Sequence, residues 1–235
     1  MRRLRSDISD SIDQLARFFE EFEVYDINVE LAKRPSPVPV SSRLMYNARN
    51  LASFLYGLKR NYPEILEAIV DDLRIVFPSV TSVEFETIGG ATAAVVLMLR
   101  ERPFKEPMPL EVASFGTVRA LALLALLHDP NPPRLICVEE IDHGLHPPAL
   151  DRVVDRMRGA VSRSQLIVAT HSPALVNRLE AEELIVCERD PADGASLIPA
   201  IESSVVQKME RESGLELGEL WFSGALSQRG LDNGG

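Results

Sequence analysis

The sequence predicts an α/β protein in which an N-terminal helical block and a β-hairpin precede a mainly parallel sheet. Through residue 77, apolar residues recur mostly at spacings of three and four, which is the period of amphipathic helices. Between residues 110 and 200, short apolar runs that suit buried strands alternate with helical segments. That alternation is typical of parallel strands joined by helical crossovers. The 235 residues are enough for one large domain, or for a core with a subdomain.

The N-terminal block combines apolar helical stripes with proline and glycine breaks. Pro63 suits the first turn of a helix, and the Gly89-Gly90 pair separates two strand-like runs as a hairpin turn would. The predicted elements are helices at 1–24, 44–60 and 63–77, a proline-rich connector at 34–41, and hairpin strands at 80–88 and 92–100.

The second half alternates strands with helices and ends in a tail rich in glycine and asparagine, which is expected to fray. The predicted elements are helices at 116–128, 148–160, 173–179 and 203–212, and strands at 135–139, 165–170, 184–188 and 195–199. We therefore expect a helical block with a hairpin at 1–109, a parallel-sheet core at 110–227 and a flexible tail at 228–235.

Composition excludes several classes of protein. Hydrophobic residues at 46% and charged residues at 26% are typical of a globular chain. A net charge of -10 argues against a surface coated uniformly by nucleic acid. Cys137 and Cys187 lie in apolar runs, which predicts reduced core residues. There is no signal-peptide pattern, and the longest apolar run, 120–127, is too short to span a membrane, so we expect a cytosolic protein.

Two adjacent carboxylates follow the first strand of the core. Residues 135–138 suit a buried strand, and Glu139 and Glu140 come directly after them. Acids at the carboxyl end of a parallel strand can bind Mg²⁺ and activate water beside a nucleotide. The alternative is a strand that simply ends in solvated acids.

The next strand ends in Thr170, His171 and Ser172. A histidine at this edge of a sheet can contact a γ-phosphate. Ser172 followed by Pro173 also suits the cap and first turn of a helix, with His171 merely preceding the cap. Both interpretations can hold together.

Ser114 and Gly116 open the helix that is rich in leucine and alanine. A hydroxyl, a glycine amide and a helix N-terminus together can bind an anion, although the same residues also suit an ordinary helix start. Asp142, His143 and His146 could suggest a metal site. A structural zinc site needs four ligands, and no cysteine pair lies nearby, so a loop is the better interpretation.

These motifs, in this order, resemble the C-terminal half of an ABC-type ATPase, within the predicted AAA-type ATPases of the OLD, RecF and SMC-like branch. The resemblance covers roughly residues 24–226. The matching segments are a signature loop at 113–117, a Walker B motif at 138–140, a D-loop at 141–147, a switch histidine at 171, and two further segments at 25–27 and 218–224.

The resemblance implies ATP and Mg²⁺ as cofactors and assigns a role to each motif. Glu139 would take the metal and Glu140 the attacking water, while His171 would read the γ-phosphate. Ser114 and Gly116 would grip the nucleotide bound to the other subunit, and Asp142 would contact that subunit. Ala113 and Phe115 depart from the family pattern. A homodimer or a partner chain is implied, and DNA is a possible partner by family analogy, whereas a membrane is not.

One expected motif is missing from the sequence. A P-loop needs G-x-x-x-x-G-K-[ST], and none of the four lysines follows a glycine. In the resembling family the P-loop lies N-terminal to these motifs. We therefore expect the C-terminal part of an ABC-type ATPase, whose P-loop comes from a missing segment or a partner, and whose sheet keeps an open edge. The alternative is a degenerate, non-catalytic interaction module.

Overall fold

The structure, a computed structural model, describes residues 16, 19, 21–38, 42–90, 93–190 and 192–227. Two compact units make up the chain, residues 1–169 and 170–235. The sequence predicted a boundary between residues 109 and 110. Strands from both sides of that position pair in one sheet of the first unit.

The central sheet of the first unit has three parallel strands in the order β1 (Phe22–Tyr25), β6 (Leu135–Glu139), β7 (Gln165–Ala169). The α/β class with parallel strands is thus confirmed. The helix predicted at 1–24 is wrong at its end, because residues 22–24 lie in β1; nearly all of the rest falls outside the described residues. Pairing with β6 and the strand preference of Phe, Val and Tyr outweigh the helical spacing there.

The two faces of this sheet differ in exposure. Tyr25 and Val138, which lie side by side in the register, are buried, whereas Val24 and Ile167 on the other face are 43% and 50% exposed. Among the residues the structure describes, β7 pairs with β6 alone. The sheet therefore has a half-exposed apolar face, and within the described residues no further strand lies beyond β7.

An apolar helix, α4 (Phe115–Leu127), forms the centre of the first unit. Every residue from 117 to 127 is buried, as expected for a helix that is apolar all round. It packs against α1 (Val29–Ala32), α2 (Leu51–Asn61), α3 (Pro63–Val76) and α5 (Pro147–Ala160).

The predicted hairpin is confirmed as β3 (Val80–Ile88) and β4 (Ala94–Glu101), which pair in antiparallel register. Two short strands, β2 (Ser36–Pro37) and β5 (Met108–Pro109), also pair with β4. Helix α2 begins at Leu51 rather than at residue 44, because Ala48 takes a left-handed conformation just before it.

A buried carboxylate joins three helices of the first unit. Asp72 on α3 is 3% exposed. His128 Nε2 lies 2.7 Å from Asp72 Oδ2, and Arg152 Nη2 lies 2.9 Å from Oδ1. Arg156 Nε lies 2.8 Å from Oδ2, an ion-pair distance without hydrogen-bond geometry. This cluster connects α3 to α5 and to the end of α4.

The second unit is small, with α6 (Pro173–Val176), α7 (Ser203–Ser213) and α8 (Leu217–Phe222) around an apolar core. The strands predicted at 184–188 and 195–199 shrink to β8 (Glu188–Arg189) and β9 (Ser196–Leu197), which pair with each other. Both cysteines are free, and Cys187 is exposed rather than in the core. No helix in the described ranges combines the length and apolarity needed to cross a bilayer.

Candidate active site

An open cleft of about 490 Å³ lies where β1 and β6 end in the first unit. Its walls come from the chain after β1, from the two acids at the end of β6, from α4, and from the turn that follows the acids. The lining residues that carry polar side chains are Asp26, Asn28, Glu30, Arg119, Glu139, Glu140 and His143. The structure therefore places the two glutamates at the carboxyl edge of the sheet, as the sequence predicted.

Glu139 and Glu140 both line the cleft although they are neighbours in sequence. In a continuous strand, successive side chains point to opposite faces. Glu140 breaks that alternation because it takes a left-handed conformation, with a φ of 47°. Its amide still donates to Ala169 O at 2.9 Å, so the turn starts directly at the sheet edge. The left-handed turn is what brings both carboxylates to one cleft.

The Glu140 carboxylate is accessible to a ligand. Its side chain is 68% exposed, and Oε2 lies 3.9 Å from His143 Nδ1. The His143 ring lies 5.5 Å from the Phe115 ring, centroid to centroid. A water or phosphate oxygen can therefore reach the carboxylate from solvent.

Ser114 caps α4. Its hydroxyl accepts a hydrogen bond from Thr117 N at 3.1 Å and shares another with Thr117 Oγ1 at 2.7 Å. The interpretation as a helix start is thus correct. Ser114 remains exposed, so the cap does not prevent contact with a further ligand.

The loop at the start of α4 packs directly against the turn that follows the two acids. A Cβ on Gly116 would lie 2.9 Å from Gly144 O, and a Cβ on Gly144 would lie 2.5 Å from the Phe115 ring. Phe115 thus covers the turn that contains Gly144. This places Ser114 and Gly116 at the same end of α4 as the turn that contains Asp142.

We expect Gly144→Ala to lower the free energy of unfolding. Gly144 has a φ of +73°, and an alanine there would also meet the Phe115 ring. A non-glycine residue in a left-handed conformation costs about 1–3 kcal/mol. Urea unfolding measures the loss. Gly194→Ala is the matched control, since Gly194 has a φ of +76° and open space around it. Equal losses in both variants would mean that the Phe115 contact contributes nothing.

Residues 3–177 match the family model described as "AAA domain, putative AbiEii toxin, Type IV TA system". The chain belongs to this AAA domain family. The matched range contains the cleft, both acids, the signature loop and His171. The predicted resemblance to an ATPase of the ABC and AAA type is confirmed.

Solved structures similar to this AAA domain include SMC heads. One is an SMC head domain with an extended coiled coil bound to the C-terminal domain of ScpA, from Pyrococcus furiosus. It is 17% identical with a TM-score of 0.49, and the match covers 68% of this chain and 40% of that one. A head with a coiled coil and joint from Pyrococcus yayanosii is 16% identical with a TM-score of 0.48, covering 72% and 32%.

A third similar structure is described as "Structural biochemistry of ATP-driven dimerization and DNA stimulated activation of SMC ATPases", at 17% identity and a TM-score of 0.45, covering 69% of this chain and 98% of that one. The AAA domain thus spans less than half the length of the two Pyrococcus chains. A search among curated proteins finds no match. Because these TM-scores are below 0.5, we assign no residue roles from these structures and argue them from the geometry of this chain alone.

His171 stands at the start of the second unit. Its ring stacks with that of Trp221, with centroids 6.4 Å apart and an angle of 26° between the planes. Ser172 caps α6 through a bond from Leu175 N at 3.4 Å, so the capping interpretation holds. Trp221 lies in the 218–224 segment, one of the segments that carry the family resemblance in the sequence.

The acids of the AAA domain fit Mg²⁺ better than they fit a dedicated metal cage. Within the described part of the chain, no group of three or more His, Cys, Asp or Glu residues is arranged to hold a metal ion. The cluster at 142–146 therefore gains no support as a metal site. Mg²⁺ is usually held by one or two carboxylates plus phosphates and water. Glu139 offers one such carboxylate, and its exposed position leaves room for the other ligands.

Sequence reasoning missed one residue of the site. Arg119 on α4 is 4% exposed and lines the cleft. Burial lowers the pKa of its guanidinium, while Asp26, Asp142 and Glu140 act in the opposite direction. The available signal was a single arginine inside a Leu- and Ala-rich helix, a position where an unpaired charge is rare.

Proposed function

We propose that this AAA domain is the part of an ATP hydrolase that supplies the catalytic acids, while a P-loop supplied by another segment or a partner chain holds the phosphates. The observation that carries the proposal is the pair of glutamates that one parallel strand delivers into a single open cleft. ATP would be hydrolysed at a dimer interface.

The two acids have separate tasks in this proposal. Glu139 would hold Mg²⁺, directly or through water; when bound with nucleotide, the ion neutralises charge on the phosphate oxygens. Glu140, which takes the left-handed conformation, would orient the attacking water and accept its proton. Its exposure allows a water on one side and a phosphate on the other.

The cleft supports the idea that the phosphate cradle comes from elsewhere. Four carboxylates line it, those of Asp26, Glu30, Glu139 and Glu140. The two terminal nitrogens of Arg119 already donate to backbone carbonyls. A triphosphate needs backbone amides and a lysine to offset that negative charge. The open edge of β7 gives an added strand a place to pair.

The signature and D-loop residues would form the other half of the site. Ser114 and Gly116 stand at the N-terminus of a 13-residue helix, and Phe115 beside them is 42% exposed. In a dimer they would face the nucleotide of the second subunit, with Asp142 contacting that subunit and His171 sensing the γ-phosphate. ATP binding would then drive dimer closure.

We further propose that dimer closure drives work on DNA or a defence effector. DNA rests on family analogy, and the defence role on the family description, which names a putative toxin of a type IV toxin–antitoxin system. The acidic cleft also suits a second candidate, a non-catalytic interaction module that keeps these loops but hydrolyses nothing.

We expect the purified chain alone to bind Mg-ATP weakly, because it lacks the backbone cradle and the lysine of a P-loop. Calorimetry tests this, and a low-micromolar dissociation constant would reveal an unrecognised phosphate site. Adding or fusing a P-loop-bearing segment encoded beside this chain should restore binding and ATPase activity. A complex that binds ATP without hydrolysing it would favour the interaction module.

A further inference from the structure

The buried guanidinium of Arg119 joins the ends of two strands. Nη1 donates to Ile27 O at 3.0 Å, and Nη2 donates to Glu140 O at 2.6 Å. Ile27 follows β1 and Glu140 follows β6. Because the guanidinium is planar and rigid, its two donors fix the separation of these carbonyls. Arg119 thus links the chain after β1 to the chain after β6, and both segments line the cleft.

The residue held by Nη2 has a strained backbone. Glu140 takes a φ of 47°, a region that non-glycine residues avoid because Cβ approaches the carbonyl oxygen. Such a conformation persists only where surrounding contacts determine it. Its carbonyl accepts from His143 N at 3.0 Å as well as from Arg119, and its amide is fixed by Ala169. Of these three hydrogen bonds to Glu140, the two with His143 and Ala169 are between backbone atoms, and the third comes from the Arg119 side chain.

The direction of the Glu140 carboxylate depends on that turn. If Glu140 relaxed to extended backbone, its side chain would continue the strand alternation and point away from the face used by Glu139. The two carboxylates would then lie on opposite faces of the sheet. A lysine cannot replace Arg119 here, since one ammonium cannot span two carbonyls with the same fixed geometry.

We infer that Arg119 is a positioning residue, which holds the left-handed turn at Glu140 and so aims the water-orienting carboxylate into the cleft. This inference rests on the proposed function for its effect on turnover. Its structural part concerns the chain alone. The Arg119 Nε atom is buried and has no hydrogen-bond partner within the described residues, so the hydrogen bonds to the two carbonyls come from the terminal nitrogens.

The matched control is Arg163, which also donates from Nη1 and Nη2 to two backbone carbonyls, those of Asp129 and Leu127, at 2.7 and 2.8 Å. Neither carbonyl belongs to the cleft. Both variants, Arg119→Met and Arg163→Met, lose an arginine that donates to two backbone carbonyls, but only Arg119→Met loses donors to the cleft. Comparing them therefore isolates the effect of the Arg119 hydrogen bonds on the cleft.

In the complex with a P-loop, Arg119→Met should lower kcat about 10²-fold, the loss expected when a reacting group is misplaced by about 1 Å. KM should change less than twofold, and Arg119→Lys should not rescue turnover. Arg163→Met should keep the wild-type kcat. Combining Arg119→Met with Glu140→Gln should add no loss beyond Glu140→Gln alone, because both changes remove the same function.

Hydrogen exchange on the chain without a P-loop tests the structural part separately. Arg119→Met should speed amide exchange in peptides covering residues 139–143, and Arg163→Met should not. Normal turnover in Arg119→Met, or unchanged exchange at 139–143, would overturn the inference. If the wild-type complex shows no ATPase activity, the proposed function fails, and the exchange result alone decides whether Arg119 holds the turn.

Discussion

Glu140→Gln is expected to abolish ATP turnover in a complex that carries a P-loop, with nucleotide binding nearly unchanged. Glutamine keeps the size and shape of the side chain but removes the charge that orients water and accepts its proton. Loss of a general base of this kind costs about 10²–10⁴-fold in rate. Single-turnover kinetics with labelled ATP measure the rate, and equilibrium binding measures the affinity.

The control is Glu67→Gln, an identical change on an exposed residue of α3. It should leave both rate and affinity unchanged. A Glu140→Gln complex that hydrolyses ATP at the wild-type rate would show that Glu140 is only a solvated residue at the end of a strand. In that case another acid of the cleft, such as Asp26, would be the candidate base.

The second large effect concerns stability. Asp72→Asn should lower the free energy of unfolding by about 3–5 kcal/mol, because it leaves the Arg152 and Arg156 guanidiniums beside a neutral, buried amide. Asp72 is 3% exposed and the Arg152 and Arg156 side chains are 21% and 36% exposed, so solvent replaces only part of the lost charge interaction. Urea unfolding monitored by circular dichroism gives the difference.

Asp71→Asn provides the control next door. Asp71 pairs with Arg74 at 2.7 Å, but its side chain is 59% exposed. An exposed pair is worth about 0–1 kcal/mol, so this variant should unfold almost like the wild type. If the two variants lose the same stability, the buried cluster of Asp72 does not join α3 and α5 in the way described.

The strands β6 and β7 could be predicted because each is a continuous apolar run that ends in polar residues, the pattern of a buried parallel strand. Strand β1 could not, because four residues are too few to outweigh a helical spacing that continues into them. Its strand conformation depends on pairing with Leu135–Val138, more than 100 residues away in sequence. Tertiary pairing, rather than local preference, forms β1.

The candidate site divides in a similar way. Glu139 and Glu140 were predicted because two acids directly after a strand are visible in the sequence. Arg119 was not, because its partners are backbone carbonyls 92 and 21 residues away, and carbonyls carry no sequence signal. The left-handed conformation of Glu140 was also invisible, since nothing local requires it.

The contact between Phe115 and Gly144 links two positions that lie 29 residues apart. There is no room between the ring and the turn for even one methyl group. A larger residue at 144 is therefore compatible only with a smaller or turned side chain at 115, and the large ring at 115 requires glycine at 144. A substitution at either position is thus tolerated only with a matching change at the other, so the start of α4 and the turn at Gly144 are expected to vary together in sequence.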